Sequence, residues 1–237
     1  RLLLRSFLLG TPGLPGDGMR ALPAQLAPRL SRPVQVDTPV TLGERTTVRT
    51  PDGEVPAAAV VVATDVAAAA DLGVVPPAPT NGLRTWWFST TDPAPTSRWL
   101  RVDGARGPVV NTAVVSDAAP SYAPPGRRLI QATTLATTLA TTLATALDDA
   151  ADDEQLVRRE VGRLWSTSAE RWDLLVRHDV GAALPFAPAP LVVCRPVALG
   201  DGRFVAGDHR DTSSIQGAMV SGRRAARAVA AHLGDPS

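Results

Sequence analysis

Arg203 to Leu233 reads RFVAGDHRDTSSIQGAMVSGRRAARAVAAHL, and no other stretch of the chain constrains the fold as tightly. Phe204, Val205 and Ala206 form a short apolar strand that runs into Gly207-Asp208. A polar loop follows, then a helix whose first turns carry almost no side-chain bulk. Ser213 and Gln216 have the S-x-x-Q spacing of a capping box, which places the helix start near Ser214 and leaves backbone N–H groups facing outward at its positive end. Such an end receives an electron-rich ligand. Ile215, Met219, Gly222, Ala226 and Val229 form an apolar stripe along the helix, with Arg223 and Arg227 on another face. The same pattern also serves a strand-loop-helix unit of any α/β protein.

The chain has 237 residues, enough for one large domain or two small ones, and its 44% hydrophobic and 20% charged content is that of a soluble globular protein. A net charge of +1 gives no reason to expect nucleic acid or an anionic membrane as partner. All 24 basic residues are Arg, so any chemistry that needs a Lys amine is excluded. The single Cys194 cannot form an intramolecular disulfide, which fits a reduced, cytoplasmic setting. It is expected as a small buried hydrophobe in a strand spanning Leu191 to Cys194. His178, His209 and His232 lack metal-ligand spacing, so no metal is expected. His209 alone falls in a candidate site, where a loop role is favoured over proton transfer. No apolar run approaches the roughly 20 residues that cross a bilayer. Arg1 to Gly10 reads as the end of an amphipathic helix, which points to further chain ahead of it.

Along the rest of the chain, Met19, Leu22, Leu26 and Leu30 mark a core-facing helix after a Gly/Pro loop. Val34 to Val36 and Thr46 to Thr50 alternate like strands, and Pro51-Asp52-Gly53 turns the chain. Val60 to Ala63 is a continuous apolar run suited to a parallel strand buried on both faces, and Asp65 caps a short helix closed by Gly73. Leu83 to Ser89, Trp99 to Val102, Val109 to Val115 and Arg128 to Ala132 are β-rich and predict an antiparallel sheet. Trp86 and Phe88 share one strand face and Trp87 shares the other with Leu83. One set lines a substrate cavity, or both pack between sheet and helices; packing is the preferred reading. Residues 132–147 repeat ATTL and are taken as a low-complexity surface connection. Asp152-Asp153 cap a helix from Glu154 to Trp165, and Trp172 to Pro185 leads through a strand to Pro188-Ala189-Pro190.

The run A-G-D followed by S-x-Q-G-A-x-x-S-G-x-x-A-A resembles the C-terminal flavin motif of FAD-dependent oxidoreductases of the amine oxidase, protoporphyrinogen oxidase and phytoene desaturase superfamily. In that family the Asp of A-G-D bonds the ribityl chain and the helix N-terminus faces the pyrimidine edge of the flavin. The resemblance therefore nominates Gly207, Asp208, Ser214, Ile215 and Gln216 as FAD-binding residues. The P-x-D-G-M-x-x-L-P segment at Pro15 to Pro23 is similar to a family segment with Asp17 in place of a Gly, leaving Gly18 to supply backbone freedom. Asp37-Thr38-Pro39-Val40 is similar to the stretch whose Val holds the adenine through main-chain bonds, which nominates Val40.

The resemblance covers nearly the whole chain, yet no G-x-G-x-x-G follows a strand anywhere, so the pyrophosphate cradle is lacking. The expected fold is α/β, α+β overall. It has an incomplete Rossmann-like FAD-binding lobe at 1–79 and 186–237, and an antiparallel-sheet substrate domain at 80–185. The implied activity is hydride transfer from a small organic substrate, an amine or a polyene- or porphyrinogen-like molecule, to FAD. The chain alone is expected to be inactive without a complementing N-terminal half. A non-enzymatic remnant or interaction module of a flavoprotein is the alternative, because a missing central strand leaves an unpaired edge.

Overall fold

A computed structural model of the protein describes residues 13–92, 96–105, 107–135 and 150–234. The helix expected at Arg1 to Gly10 and the repeat from residue 136 onward lie outside the described residues. In chain order the strands are β1 (Thr41–Leu42), β2 (Thr47–Thr50), β3 (Gly53–Pro56), β4 (Val60–Val62), β5 (Thr80–Thr90) and β6 (Arg101–Val102). They continue as β7 (Val109–Val114), β8 (Arg128–Leu135), β9 (Asp173–Pro185), β10 (Ala198–Gly200) and β11 (Arg203–Val205). The α-helices are α1 (Ala21–Leu26), α2 (Val66–Asp71), α3 (Val115–Ala118), α4 (Ala150–Trp165) and α5 (Ile215–His232). The chain forms two units, one from residues 13–34 and 82–180 and the other from 35–81 and 181–234.

In the first unit, five strands form a sheet in the order β6-β7-β8-β5-β9. β5 and β8 pair antiparallel with Trp86 opposite Ala132 and Phe88 opposite Ile130. Pleating sends these four to one face, where they pack with Val109, Val114 and the Val157 and Val161 side chains of α4. Each such fully buried side chain contributes about 1.5–3 kcal/mol. Trp165 closes this core by donating from Nε1 to Thr112 Oγ1 at 3.0 Å, and its ring carries the Arg101 guanidinium 4.3 Å above it. Trp86 and Phe88 are therefore packing residues, and Trp87, on the opposite face, is only partly buried.

Several expectations for this unit change. Ala132 to Leu135, the first copy of the repeat, is not a surface connection but the end of β8, with Ala132 and Thr134 fully buried. The α4 helix already runs from Ala150, so Asp153 is inside it; the Asp153 carboxylate pairs with Arg84 at 2.5 Å instead of capping. Met19, Leu22, Leu26 and Leu30 follow helical spacing along α1 and the 3-10 turn after it, yet all four are exposed. Residues 13–34 also fall with 82–180, where Ser121 Oγ and Tyr122 Oη donate to the Gly16 and Pro15 carbonyls at 2.6 and 2.8 Å.

The second unit has two small sheets. β1, β2 and β3 make an antiparallel meander whose β2–β3 turn, Pro51-Asp52, brings Thr50 opposite Gly53. Val34 to Val36 forms no strand and is exposed, because prolines at 33 and 39 remove ladder donors and Asp37 turns the chain at φ 53°. The other sheet has the order β10-β11-β4, with β11 parallel to β4 through Arg203↔Val60, Phe204↔Val61 and Val205↔Val62. Both faces of β11 are covered. Val205 packs with Val62, Val66, Ala69 and Val75, while Ala206, just after the strand, packs with Val197, Ala225 and Ala228 of the α5 side. Asp65 caps α2 by accepting from the Ala67 and Ala68 N–H groups at 2.9 Å, and Gly73 follows the helix at φ 71°. The Leu191 to Cys194 run is not a buried strand: all four residues are exposed, and Cys194 turns at φ 57°.

Candidate cofactor site

β4 and β11 end side by side, and ligands of parallel sheets sit beyond such carboxyl ends. β11 delivers Ala206 and then Gly207, which adopts φ 153° and ψ 168°. A Cβ on Gly207 would stand 2.4 and 2.5 Å from Cε1 and Nδ1 of His209, so glycine is required for the imidazole to fold back beneath the turn. The buried Ser221 hydroxyl of α5 locks this turn from the other side. It accepts from the Gly207 N–H at 2.9 Å and lies 2.7 Å from the Gly207 carbonyl, to which it donates.

Asp208–Arg210 then form one 3-10 turn, with the Arg210 N–H bonded to the Gly207 carbonyl at 3.1 Å. The next residues set the start of α5. Ser214, extended at φ −165° and ψ 161°, is the N-cap and accepts from the Gly217 N–H at 3.0 Å. The capping-box assignment to Ser213 is thereby corrected by one residue, since the Ser213 hydroxyl donates to the Pro185 carbonyl at 3.2 Å. Helix geometry leaves the N–H groups of Ile215 and Gln216 without intrahelical partners, at the positive end of an 18-residue helix.

The buried face of α5 also differs from the apolar stripe. Ile215 and Met219 are 55% and 53% exposed, and the inward residues are Gly217, Ser221 and Ala225. Small residues at i, i+4 and i+8 let backbone approach backbone. At Gly217 a Cβ would lie 1.9 Å from the Thr212 carbonyl oxygen, so the 208–214 loop lies directly on the first turn of the helix.

A cavity of about 120 Å³ lies within this unit, walled by Val66 and Phe186 on its apolar side and by Arg195, Asp208, His209 and Ser213 on its polar side. Burial raises the pKa of the Asp208 carboxyl, against the pull of His209. Burial lowers that of the His209 imidazole, helped by Arg210 and opposed by Asp208. Arg210 is held below the usual guanidinium range first by burial and then by repulsion from Arg195 and Arg224. Asp211 lies among these arginines, taking the Arg224 guanidinium at 3.0 Å and standing 3.7 Å from Cys194 Sγ. Both nitrogens of His209 are buried and lack partners, a cost of about 1–3 kcal/mol for each unpaired polar group.

Of the residues nominated from sequence, Asp208 lines this cavity; Gly207 precedes it in the turn after β11, and Ser214, Ile215 and Gln216 stand exposed at the start of α5, outside the cavity lining. Val40 lies elsewhere in the same unit, one residue before β1 and 42% exposed. Ser221, Gly217 and the buried state of His209 were missed from sequence. The G-x-x-x-S-x-x-x-A spacing from Gly217 to Ala225 is the signal that identifies a close-packed helix face. Among the described residues no group of three or more His, Cys, Asp and Glu side chains is placed to hold a metal ion. No helix among them is long and apolar enough to cross a membrane.

The family model of flavin-containing amine oxidoreductases matches residues 5–230. No curated protein matches the chain in sequence. Among solved structures, a protein described as a protoporphyrinogen oxidase from Exiguobacterium sp. 255-15 is similar over 92% of this chain and 52% of its own, at 15% identity and a TM-score of 0.67. Cyclohexylamine oxidase from Brevibacterium oxydans IH-35A is similar over 92% and 53%, at 13% identity and a TM-score of 0.61. Putrescine oxidase with bound putrescine is similar over 91% and 53%, at 15% identity and a TM-score of 0.62. The chain spans about half the length of these proteins, and at such identities the likeness concerns the fold.

Proposed function

From the premise that the chain belongs to the family of flavin-containing amine oxidoreductases, we propose that it is part of an FAD-dependent oxidoreductase acting on a small organic substrate, an amine or a polyene- or porphyrinogen-like molecule. The observation that carries this reading is the junction of β11 with α5. Gly207 and Gly217 leave no room for a Cβ, the α5 N-terminus is open, and a carboxylate and an unpartnered imidazole stand between them. This donor set fits a flavin nucleotide, which when bound supplies the hydride acceptor.

Asp208 accepts hydrogen bonds from the ribityl hydroxyls. The first-turn N–H groups of α5, at Ile215 and Gln216, favour negative charge on the ring edge nearest them, and Ser214 fixes where those groups point. Ser221 holds the Gly207 turn so that the Asp208 carboxylate keeps its position relative to the helix end. Val40 supplies a main-chain contact to the adenine. The 82–180 unit, with its antiparallel sheet, is the substrate domain, and the 35–81 and 181–234 unit binds the cofactor. Its setting is cytoplasmic.

A complementing segment with a Gly-rich turn completes the cofactor unit. Among the described residues β4 ends its sheet, with Val61 42% exposed on a strand otherwise suited to burial, which favours a further strand alongside it. The chain by itself then retains little flavin. The test is to purify the 237-residue chain and the product of a reading frame extended upstream of Arg1, desalt both, and record visible absorption. Stoichiometric flavin only in the longer product supports the proposal. Flavin in neither refutes it, and stoichiometric flavin in the short chain refutes the need for a complementing segment.

A further inference from the structure

The five-stranded sheet has one face packed on α4 and a second face that the core cluster leaves out. Strand alternation assigns to that second face every other residue from Leu83 to Ser89 on β5 and from Leu129 to Leu135 on β8. Asn111 and Ala113 join them from β7, and Val102 from β6. None of these positions holds an ionisable side chain. The usual pattern of a one-sided antiparallel sheet is the reverse, with polar and charged residues on the face away from the core. The charged residues of the same strands go instead to the helix side, where Arg84 pairs with Asp153 of α4 at 2.5 Å and Arg101 lies over Trp165.

The face is recessed as well as uncharged. Trp87, Asn111 and Gln131 are partly buried and Thr133 is 7% exposed. Trp87 stands directly opposite Gln131, whose Nε2 donates to Asn111 Oδ1 at 3.4 Å and to Thr133 Oγ1. An aromatic ring beside amides and hydroxyls, with leucines around them, is the lining of a small-molecule site: largely apolar, with a few polar groups that fix orientation. Charge at the margins is already matched or turned away. Arg127 donates to Ser89 Oγ at 2.7 Å and pairs with Asp173. On the edge strand β9, Arg177 lies 5.5 Å from the Trp86 ring and Asp179 bonds Arg84, both on the helix side. His178, between those two, turns the other way, and an imidazole supplies no negative charge.

We propose that this face is a substrate wall that takes its substrate uncharged. Trp87 is the platform, and Gln131 with Asn111 is the specificity-determining pair that hydrogen-bonds a carbonyl, amide or hydroxyl group of an otherwise apolar molecule. The inference rests on the reading of 82–180 as the substrate domain and narrows the substrate class left open there. An amine is admitted as its free base, whereas an ammonium or carboxylate group stripped of water against this face finds no counter-charge. The selection acts on binding and takes no part in hydride transfer.

The experiment uses the ¹⁵N-labelled 237-residue chain and three probes that share one ring and differ in charge: benzamide, benzylammonium and benzoate. At neutral pH, ¹H–¹⁵N spectra read the Trp87 indole N–H and the Gln131 and Asn111 side-chain amides. Millimolar benzamide is expected to shift all three groups saturably, and each ion to need a concentration about tenfold higher or more. An equal or tighter response to either ion, or silence to all three probes, overturns the inference. Gln131→Glu exchanges the amide for a carboxylate of the same shape and is expected to reverse the order, strengthening benzylammonium binding about tenfold and weakening that of benzoate. A purely structural glutamine would leave the order of the probes as it was. Should Gln131→Glu fail to fold, the spectra of the unsubstituted chain still decide. Stoichiometric flavin in the product extended upstream of Arg1, beside an unselective or silent face, removes this inference alone. Flavin in neither product, beside a selective face, refutes the oxidoreductase reading and keeps the face as a binding site for uncharged molecules.

Discussion

Gly217→Ala and Gly222→Ala add the same methyl group to the same helix and are expected to move stability in opposite directions. Helix propensity alone favours alanine over glycine by about 1 kcal/mol. At Gly222 nothing lies within 4 Å of the new Cβ, so the substitution should stabilise by roughly 0.5–1 kcal/mol. At Gly217 the Cβ would meet the Thr212 oxygen at 1.9 Å and the Thr212 carbon and nitrogen at 2.8 Å, all of them backbone. No rotamer change relieves such a contact, and overpacking of this kind costs about 1–3 kcal/mol or more. After the propensity gain, a net loss of about 1–2 kcal/mol remains, so the two variants should differ by roughly 2–3 kcal/mol. With a urea m-value of about 1–3 kcal/mol/M, their midpoints should stand about 1 M apart. Far-UV circular dichroism is the appropriate probe, because Trp86, Trp87, Trp99, Trp165 and Trp172 all fall within 82–180 and fluorescence reports that unit. A Gly217→Ala protein as stable as its parent would show that the 208–214 loop does not rest on the helix as described.

Ser214→Ala should cost about 1 kcal/mol through loss of the N-cap, and Ser213→Ala less, with urea midpoints giving the comparison; the reverse order would return the helix start to Ser213. In a form of the protein that retains FAD, Asp208→Ala should weaken binding about tenfold to a hundredfold, and an unchanged titration of the apoprotein would remove Asp208 from the site. The pH dependence has a definite sign at His209. Burial holds its folded pKa below the ordinary imidazole value of about 6.5, so the unfolded chain binds the proton first, and stability is lost as the pH falls from above that value toward the folded one. Asp208, with its folded pKa raised, acts oppositely in the acid range and loses stability as the pH rises through its own window above 3.8. His209→Gln should therefore flatten the decline in urea midpoint between about pH 7 and pH 5, and an undiminished decline would place its cause elsewhere.

Local pattern alone determined much of this protein. The apolar run at Val60 read as a parallel strand and Phe204 to Ala206 as an apolar strand, and the two pair in parallel, although β4 leaves Val61 exposed where burial on both faces was expected. Asp65 read as a helix cap and Phe204 to Ala206 as a strand running into Gly207-Asp208, and both stand where the sequence places them. These features are short-range: an N-cap needs only its own turn, and a strand buried on both faces declares itself by an unbroken apolar run. What the sequence misplaced depends on the neighbour that each residue meets. Leu191 to Cys194 has a strand's composition without a strand's partner, and Ile215 and Met219 form an apolar stripe that the fold leaves in solvent. Burial on α5 goes instead to Gly217, Ser221 and Ala225, because the helix approaches β11 and its own preceding loop too closely for larger side chains. The hydroxyl of Ser221 on Gly207 joins residues 14 positions apart, a pairing that only the packed tertiary structure can specify. His209 is the clearest case: nothing in D-H-R distinguishes a surface loop histidine from a buried one. Its vacant nitrogens arise because a glycine two residues earlier leaves room for the ring while the surrounding structure offers it no bond.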